Sequence, residues 1–181
     1  MRIAGLDFET ANPAPGSICA AGCAVLEDDT VTEKNEWLIR PHRSLDRMTG
    51  VCFAVHGIGW YDLRDAAEFP AVWPVLRRML TEVDAVVMHN AAFDLRHLRA
   101  VLELYRLPSV SFPYFCTLAA SRELLPQLDS HSLDAVAAHF GHTFCHHDAL
   151  EDAIASATIC CRLGIRENFL ERFDYSSFAM D

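Results

Sequence analysis

Lysine is almost absent from this 181-residue chain: Lys34 stands alone beside 14 arginines, against 25 acidic residues and a net charge of −10. That deficit of positive charge argues against the broad basic surface of a protein that coats nucleic acid. Two ways to hold a phosphate-bearing partner remain. The acidic residues can cluster where they bind cations, or the footprint can be only a few nucleotides long. Paired C-x-x-C spacing is missing too. The seven cysteines are odd in number, so they cannot all pair within one chain, and they read as reduced, small apolar residues. No apolar run approaches the ~20 residues of a membrane span, and no signal peptide is visible before the first strand. A soluble, cytoplasmic protein with no membrane partner is the expectation. Repeats, low-complexity tracts and linkers are absent as well. With 51% hydrophobic residues, 1–181 reads as a single domain with a substantial core.

What is present is an ordered run of elements. Arg2–Phe8, Ser17–Leu26 and Val31–Ile39 read as strands, with Glu27–Thr30 as a turn. Their short connections predict an antiparallel meander. A helix begins near Pro70 and Pro74 and runs to about Leu80, with proline suited to its first turn. Asp84–His89 is a short apolar strand of the doubly buried kind. Ala91–Leu104 carries apolar residues at helical spacing, and Phe112–Phe115 reads as a fifth strand. Helices are predicted over Leu118–Leu125, Ser132–Phe140, Ala149–Leu163 and Arg166–Phe173. The sum is an α/β domain with a mixed sheet covered by helices.

Three clusters carry chemistry. Asp7 and Glu9 lie two apart on the first strand, so both carboxylates share one face while Leu6 and Phe8 take the other. A solvated edge strand is the bland alternative, but this strand is apolar and reads as central. In His89-Asn90-Ala91-Ala92-Phe93-Asp94, Asn90 stands where a strand passes into a helix, an N-cap position. Asp94 is then one turn inside, near the carboxyl end of the strand, where open α/β sheets gather ligands. A helix-dipole role alone would also explain an acid there. In His147-Asp148-Ala149-Leu150-Glu151-Asp152, the Asp148/Glu151 spacing resembles a capping box with Asp148 as N-cap. His147 and Asp152 then occupy the two facing positions that ordinarily hold an apolar staple, which suggests function over stability. A weak surface pair is the alternative.

Together and in this order, D-F-E, H-N-A-A-F-D and H-D-A-L-E-D resemble the three motifs of the DEDDh 3′→5′ exonucleases. The run D-F-E-T-A-N with the following S-I-C is similar to the group around the proofreading epsilon subunit of bacterial DNA polymerase III (DnaQ-like). Val55-His56-Gly57-Ile58 and Ser132-Leu133-Asp134-Ala135 resemble connecting segments of that group. The resemblance spans about residues 3–163. It implies an RNase H-like fold with a five-stranded mixed sheet, its first three strands antiparallel, flanked by helices. It implies that Asp7, Glu9, Asp94 and Asp152 hold two divalent cations, Mg²⁺ or Mn²⁺, with Asp7 bridging, and that His147 is the general base. It implies a nucleic acid with a free 3′ end as substrate, single-stranded DNA first and RNA as the alternative. A polymerase partner stays open but without support, since the tail that binds polymerase has no visible counterpart after Leu163.

The chemistry agrees on its own terms. Two cations ~3.5–4 Å apart serve both the attacking and the leaving oxygen of an in-line displacement. Hard carboxylate oxygens suit Mg²⁺ or Mn²⁺, and a histidine takes the proton of water near neutral pH. Phe8, Thr10, Asn90 and Phe93 are the candidates to touch the terminal nucleotide. Three rivals stand beside this reading. One is an RNase H-like endonuclease, and another is an inactive nucleic-acid-binding module on the same fold. The third is a zinc site built from His139, His142, Cys145, His146 and His147, whose H-x-x-H-x-x-C spacing is ligand-like.

Overall fold

A computed structural model describes residues 1–164 and 167–177. Among these residues, six strands form one sheet in the order β3-β2-β1-β4-β5-β6. They are β1 (Arg2–Thr10), β2 (Ile18–Glu27), β3 (Thr30–Leu38), β4 (Ala85–Met88), β5 (Val110–Cys116) and β6 (Leu170–Tyr175). The first three pair antiparallel, β4 and β5 run parallel to β1, and β6 returns antiparallel to β5. The meander and the mixed sheet are therefore as expected, and β1 is central. The strand count is six instead of five.

The sixth strand replaces an expected helix. Within Arg166–Phe173, Arg166 lies outside the described residues, Glu167–Phe169 is a single 3-10 turn, and Leu170 onward is extended. Phe169, Leu170 and Phe173 have helical spacing. Phe173 and Tyr175, however, are the buried pair of an alternating edge strand, and Phe173 stacks on Phe112 across the sheet at 5.1 Å. Register with a distant strand overrode the local pattern.

The helices are α1 (Gly50–His56), α2 (Trp60–Leu63), α3 (Phe69–Thr81), α4 (Ala91–Leu104), α5 (Thr117–Leu124), α6 (Leu133–His139) and α7 (Ala149–Leu163). In α3, Pro70 sits in the first turn, whereas Pro74 is inside the helix. Helices cover both faces. Leu6, Phe8, Ala21 and Cys23 pack with Val72, Trp73 and Leu76 of α3 and Leu98 of α4 on one side. Ile3, Ala24 and Val87 pack with Ala157 and Cys160 of α7 on the other. No helix among the described residues is long and apolar enough to cross a membrane.

Two glycines bring α7 close to the sheet. Gly22 pairs with Asp7 across β1 and β2. A Cβ on Gly22 would lie 2.0 Å from the Ala149 carbonyl oxygen, and one on Gly5 would lie 2.0 Å from that of Ala153. Strand backbone thus touches helix backbone beside Asp7, a close approach that glycine permits.

Candidate active site

The face of β1 that meets α7 carries Gly5, Asp7 and Glu9 in alternation. The register shifts between Glu9 and Thr10, a bulge at the carboxyl end of the strand. Helix α7 delivers the partner. Asp148 caps it, accepting from the backbone N–H groups of Leu150 and Glu151 at 3.1 and 3.0 Å. The reciprocal half of a capping box is missing, because the Asp148 N–H donates to the Cys145 carbonyl. One turn in, Asp152 is buried against the sheet. Carboxylate oxygens of Asp7, Glu9 and Asp152 all lie within 4.8 Å of one another.

Asp94 approaches from α4. It is buried, and its Oδ1 accepts the Phe8 N–H at 3.1 Å. It stands beside Asp7 but outside that 4.8 Å group. Asn90, just before α4, has left-handed backbone (φ 68°) and makes no side-chain cap. The Phe93 N–H instead donates to the Asn90 carbonyl at 2.8 Å.

Two histidines hold Asp152 in different ways. His147 is also left-handed (φ 68°), which turns its backbone N–H onto Asp152 Oδ2 at 3.2 Å. His146, with its ring stacked on that of His147 at 3.9 Å, faces Asp152 Oδ1 with its Nδ1 at 3.1 Å. The imidazole of His147 is therefore left unengaged by Asp152. The sequence missed His146 in this role because a ring before a helix can turn either way.

Asp7, Glu9, His146, His147 and Asp152 line a cavity of about 710 Å³, whose lining also includes His89, Asn90, Phe93, Leu118 and Arg122. Of the four residues expected to touch a nucleotide, Asn90, just before α4, and Phe93, in its first turn, line it. Phe8 does not present its ring. Period-two alternation sends that ring to the other face, edge-on to Phe69 at 6.4 Å, so the cavity meets only its backbone. Thr10 is buried and does not line the cavity; its carbonyl accepts from His56 Nε2 at 3.2 Å. His89, quoted in the second motif without a role, is committed on both nitrogens: Nε2–H donates to the His131 carbonyl at 2.9 Å, and Nδ1 meets Thr117 Oγ1 at 2.8 Å. Of the zinc alternative, His146 and His147 come together, but His139, His142 and Cys145 do not join them. Among the described residues, the ligand groups are Asp7/Glu9/Asp152 and His146/His147/Asp152.

Electrostatics follow from crowding. Burial, then Asp94, Asp152 and Glu9, push Asp7 up. Burial and Asp152 push Glu9 up to about 8, and Asp94 is raised by burial against its hydrogen bond from Phe8. Asp152 is raised by burial and partly restored by His146. No lysine or arginine pairs with any of the four among the described residues; the sole ion pair is His146–Asp152. Close, poorly solvated carboxylates without a cationic side chain are a donor set that fits hard divalent cations. His147 is lowered by burial and then by His146, which favours its neutral form near pH 7.

Comparison with known proteins agrees with this geometry. Residues 5–160 match the RNase_T family model, described as "Exonuclease". DNA polymerase III PolC-type of Thermotoga petrophila is 31% identical over 95% of this chain, though the match takes up 13% of that protein. Its Thermotoga maritima counterpart is 32% identical over 87% of this chain. The chain thus spans roughly an eighth of these relatives' length. Among solved structures, Exonuclease X in complex with 5′-overhanging duplex DNA superposes with a TM-score of 0.71 at 24% identity, covering 90% of this chain and 89% of the other. The nuclease domain of 3′hExo, a DEDDh family member bound to rAMP, has a TM-score of 0.72 at 18% identity, covering 90% of each. These two share the fold. With the family model spanning the strand, helix and cap motifs in one alignment, the chain belongs to the exonuclease family.

Proposed function

We propose that this protein is a single-domain, metal-dependent 3′→5′ exonuclease that hydrolyses the terminal phosphodiester bond of a nucleic-acid strand and releases 5′-mononucleotides. The observation that carries the reading is the convergence of Asp7, Glu9 and Asp152 within 4.8 Å, with Asp94 beside Asp7 and, among the described residues, no lysine or arginine paired to any of them.

Asp7, Glu9, Asp94 and Asp152 would hold two divalent cations, Mg²⁺ or Mn²⁺. When bound, such ions supply the positive charge that favours hydroxide over water and steadies the leaving oxygen. The protein's own groups do the rest. His147 accepts the proton of the attacking water, and its lowered pKa keeps it ready to do so at neutral pH. The Phe8 N–H orients Asp94, while His146 and the His147 N–H orient Asp152. The half-buried Phe93 ring offers the terminal base a stacking face, and Asn90 offers polar atoms beside it. A single DNA strand is the substrate we favour, with RNA second.

The test uses a 5′-labelled single strand and a circular one, each with Mg²⁺ or Mn²⁺. The linear strand should shorten stepwise and release 5′-mononucleotides. Cleavage of the circle, or shortening from the 5′ end, would overturn the reading and favour an endonuclease.

A further inference from the structure

A strand entering this cavity carries more charge than its floor can answer. Each linkage beyond the one being cut adds a phosphate, and this acidic chain has few cations to spare. Of the described residues lining the cavity, one is a lysine or arginine: Arg122, on the last turn of α5. It is exposed.

Arg122 is also unspent. Arg78 pairs with Glu33 and Glu82, and Arg99 donates to the Asp174 carbonyl while lying over the Phe173 ring. Arg122 has no hydrogen bond or ion pair among the described residues, although Asp129 lines the same cavity. Its charge is felt inside the cavity. His89 is pushed down to about 4, chiefly by burial, with Arg122 among the further causes. His89 is therefore neutral at working pH and does not repel the guanidinium. A planar, permanently charged fork that faces a cavity without a protein partner suits a phosphodiester, which it can grip with two N–H groups at once.

We propose that Arg122 binds an internal phosphate of the substrate strand, within the first few nucleotides from the 3′ end, and thereby sets the strand's path out of the catalytic cavity. The inference rests on the exonuclease reading for the identity of the substrate. A structural alternative is that Arg122 merely complements the carboxyl end of α5. That role predicts a lower melting temperature and no change toward substrate.

The experiment compares the wild-type protein with Arg122→Ala, Arg122→Lys and Arg122→Glu. First, binding of a 5′-fluorescein single-stranded decanucleotide with a cleavage-blocking phosphorothioate at its terminal linkage is followed by anisotropy in Mg²⁺. Second, KM and kcat are measured on the unblocked strand. Third, the strand is made with one neutral methylphosphonate linkage, moved stepwise from the 3′ end. Arg122→Ala should weaken binding and raise KM roughly tenfold with kcat nearly unchanged. Arg122→Lys should recover part of the loss, and Arg122→Glu should deepen it. The dependence of log KM on log salt should flatten by about 0.7, the share of one phosphate on a single strand. One methylphosphonate position should weaken the wild type and leave Arg122→Ala indifferent, with other positions affecting both alike. Unchanged binding and KM in Arg122→Ala, or a methylphosphonate profile identical to wild type, overturns the proposal while leaving the exonuclease reading intact. Weakened binding by Arg122→Ala in a protein that shortens no strand supports the phosphate site and overturns the exonuclease reading instead.

Discussion

Asp7 and His147 sit in one cavity yet should fail in different ways. Asp7→Asn removes a carboxylate that meets Glu9 and Asp152 directly, so metal affinity and rate should fall together. His147→Asn should keep metal affinity and lower the single-turnover rate by about 10²–10⁴, the usual worth of a positioned base. Asparagine is the better replacement because His147 has φ 68°, a conformation that asparagine tolerates and alanine resists. The wild-type rate should rise with pH through an apparent pKa below the usual ~6.5 of histidine, since burial and His146 lower that of His147. Calorimetry and pH-resolved single-turnover cleavage on the same proteins check this. Loss of metal by His147→Asn as severe as that of Asp7→Asn would make the histidine a ligand. Full rate would pass the role of base to His146, whose Nδ1 already reaches Asp152.

At the scale of elements, the site exists because α7 lies against β1 and β2 with nothing between backbone and backbone. Gly22→Ala forces a Cβ to within 2.0 Å of the Ala149 carbonyl at the first residue of α7. The helix must move, and Asp148, Asp152 and the His147 N–H move with it. Overpacking of this kind costs about 1–3 kcal/mol. Gly22→Ala should therefore lower the denaturation midpoint and reduce activity beyond what the unfolded fraction explains. Gly57→Ala is a useful contrast: a Cβ there meets nothing within 4 Å, so its cost is the backbone strain of φ 74° alone. Urea melts and turnover of the two variants, side by side, decide the point. An active, stable Gly22→Ala would mean that α7 tolerates displacement.

For the whole molecule, the acidic site predicts how stability responds to pH and metal. Asp7, Glu9, Asp94 and Asp152 all have raised pKa values, with Glu9 at about 8. A carboxyl group whose pKa is higher folded than unfolded contributes stability that is full below the unfolded value, near 4, and is lost as pH rises through the folded value. In EDTA the melting temperature should thus fall between about pH 4 and pH 8 from these groups. Mg²⁺ or Mn²⁺, bound by the native state, should restore it by about 2.7 kcal/mol at a hundredfold excess over Kd. The restoration should be larger at pH 8 than at pH 5, and smaller in Asp7→Asn. Scanning calorimetry over that range tests it; equal metal shifts in wild type and Asp7→Asn would place the cations elsewhere.

Features that covalent geometry controls over a few residues were legible in the sequence. Alternation on β1 put Asp7 and Glu9 on one face, the Asp148 signature started α7, and four- and five-residue spacings placed Asp94 and Asp152 one turn inside their helices. Those regularities, in order, were also enough to indicate the family. Tertiary structure decided what depends on distant surfaces. Pairing with β5 made β6 a strand despite helical spacing, and α1 and α2 arose in a stretch without a readable period. The left-handed backbone at His147 gave Asp152 to the His146 ring and freed its neighbour. Arg122 carries no local signal at all, because an arginine near a helix end looks the same whether it faces bulk water or a catalytic cavity. That distinction is made by the strands and helices that build the rest of the cavity.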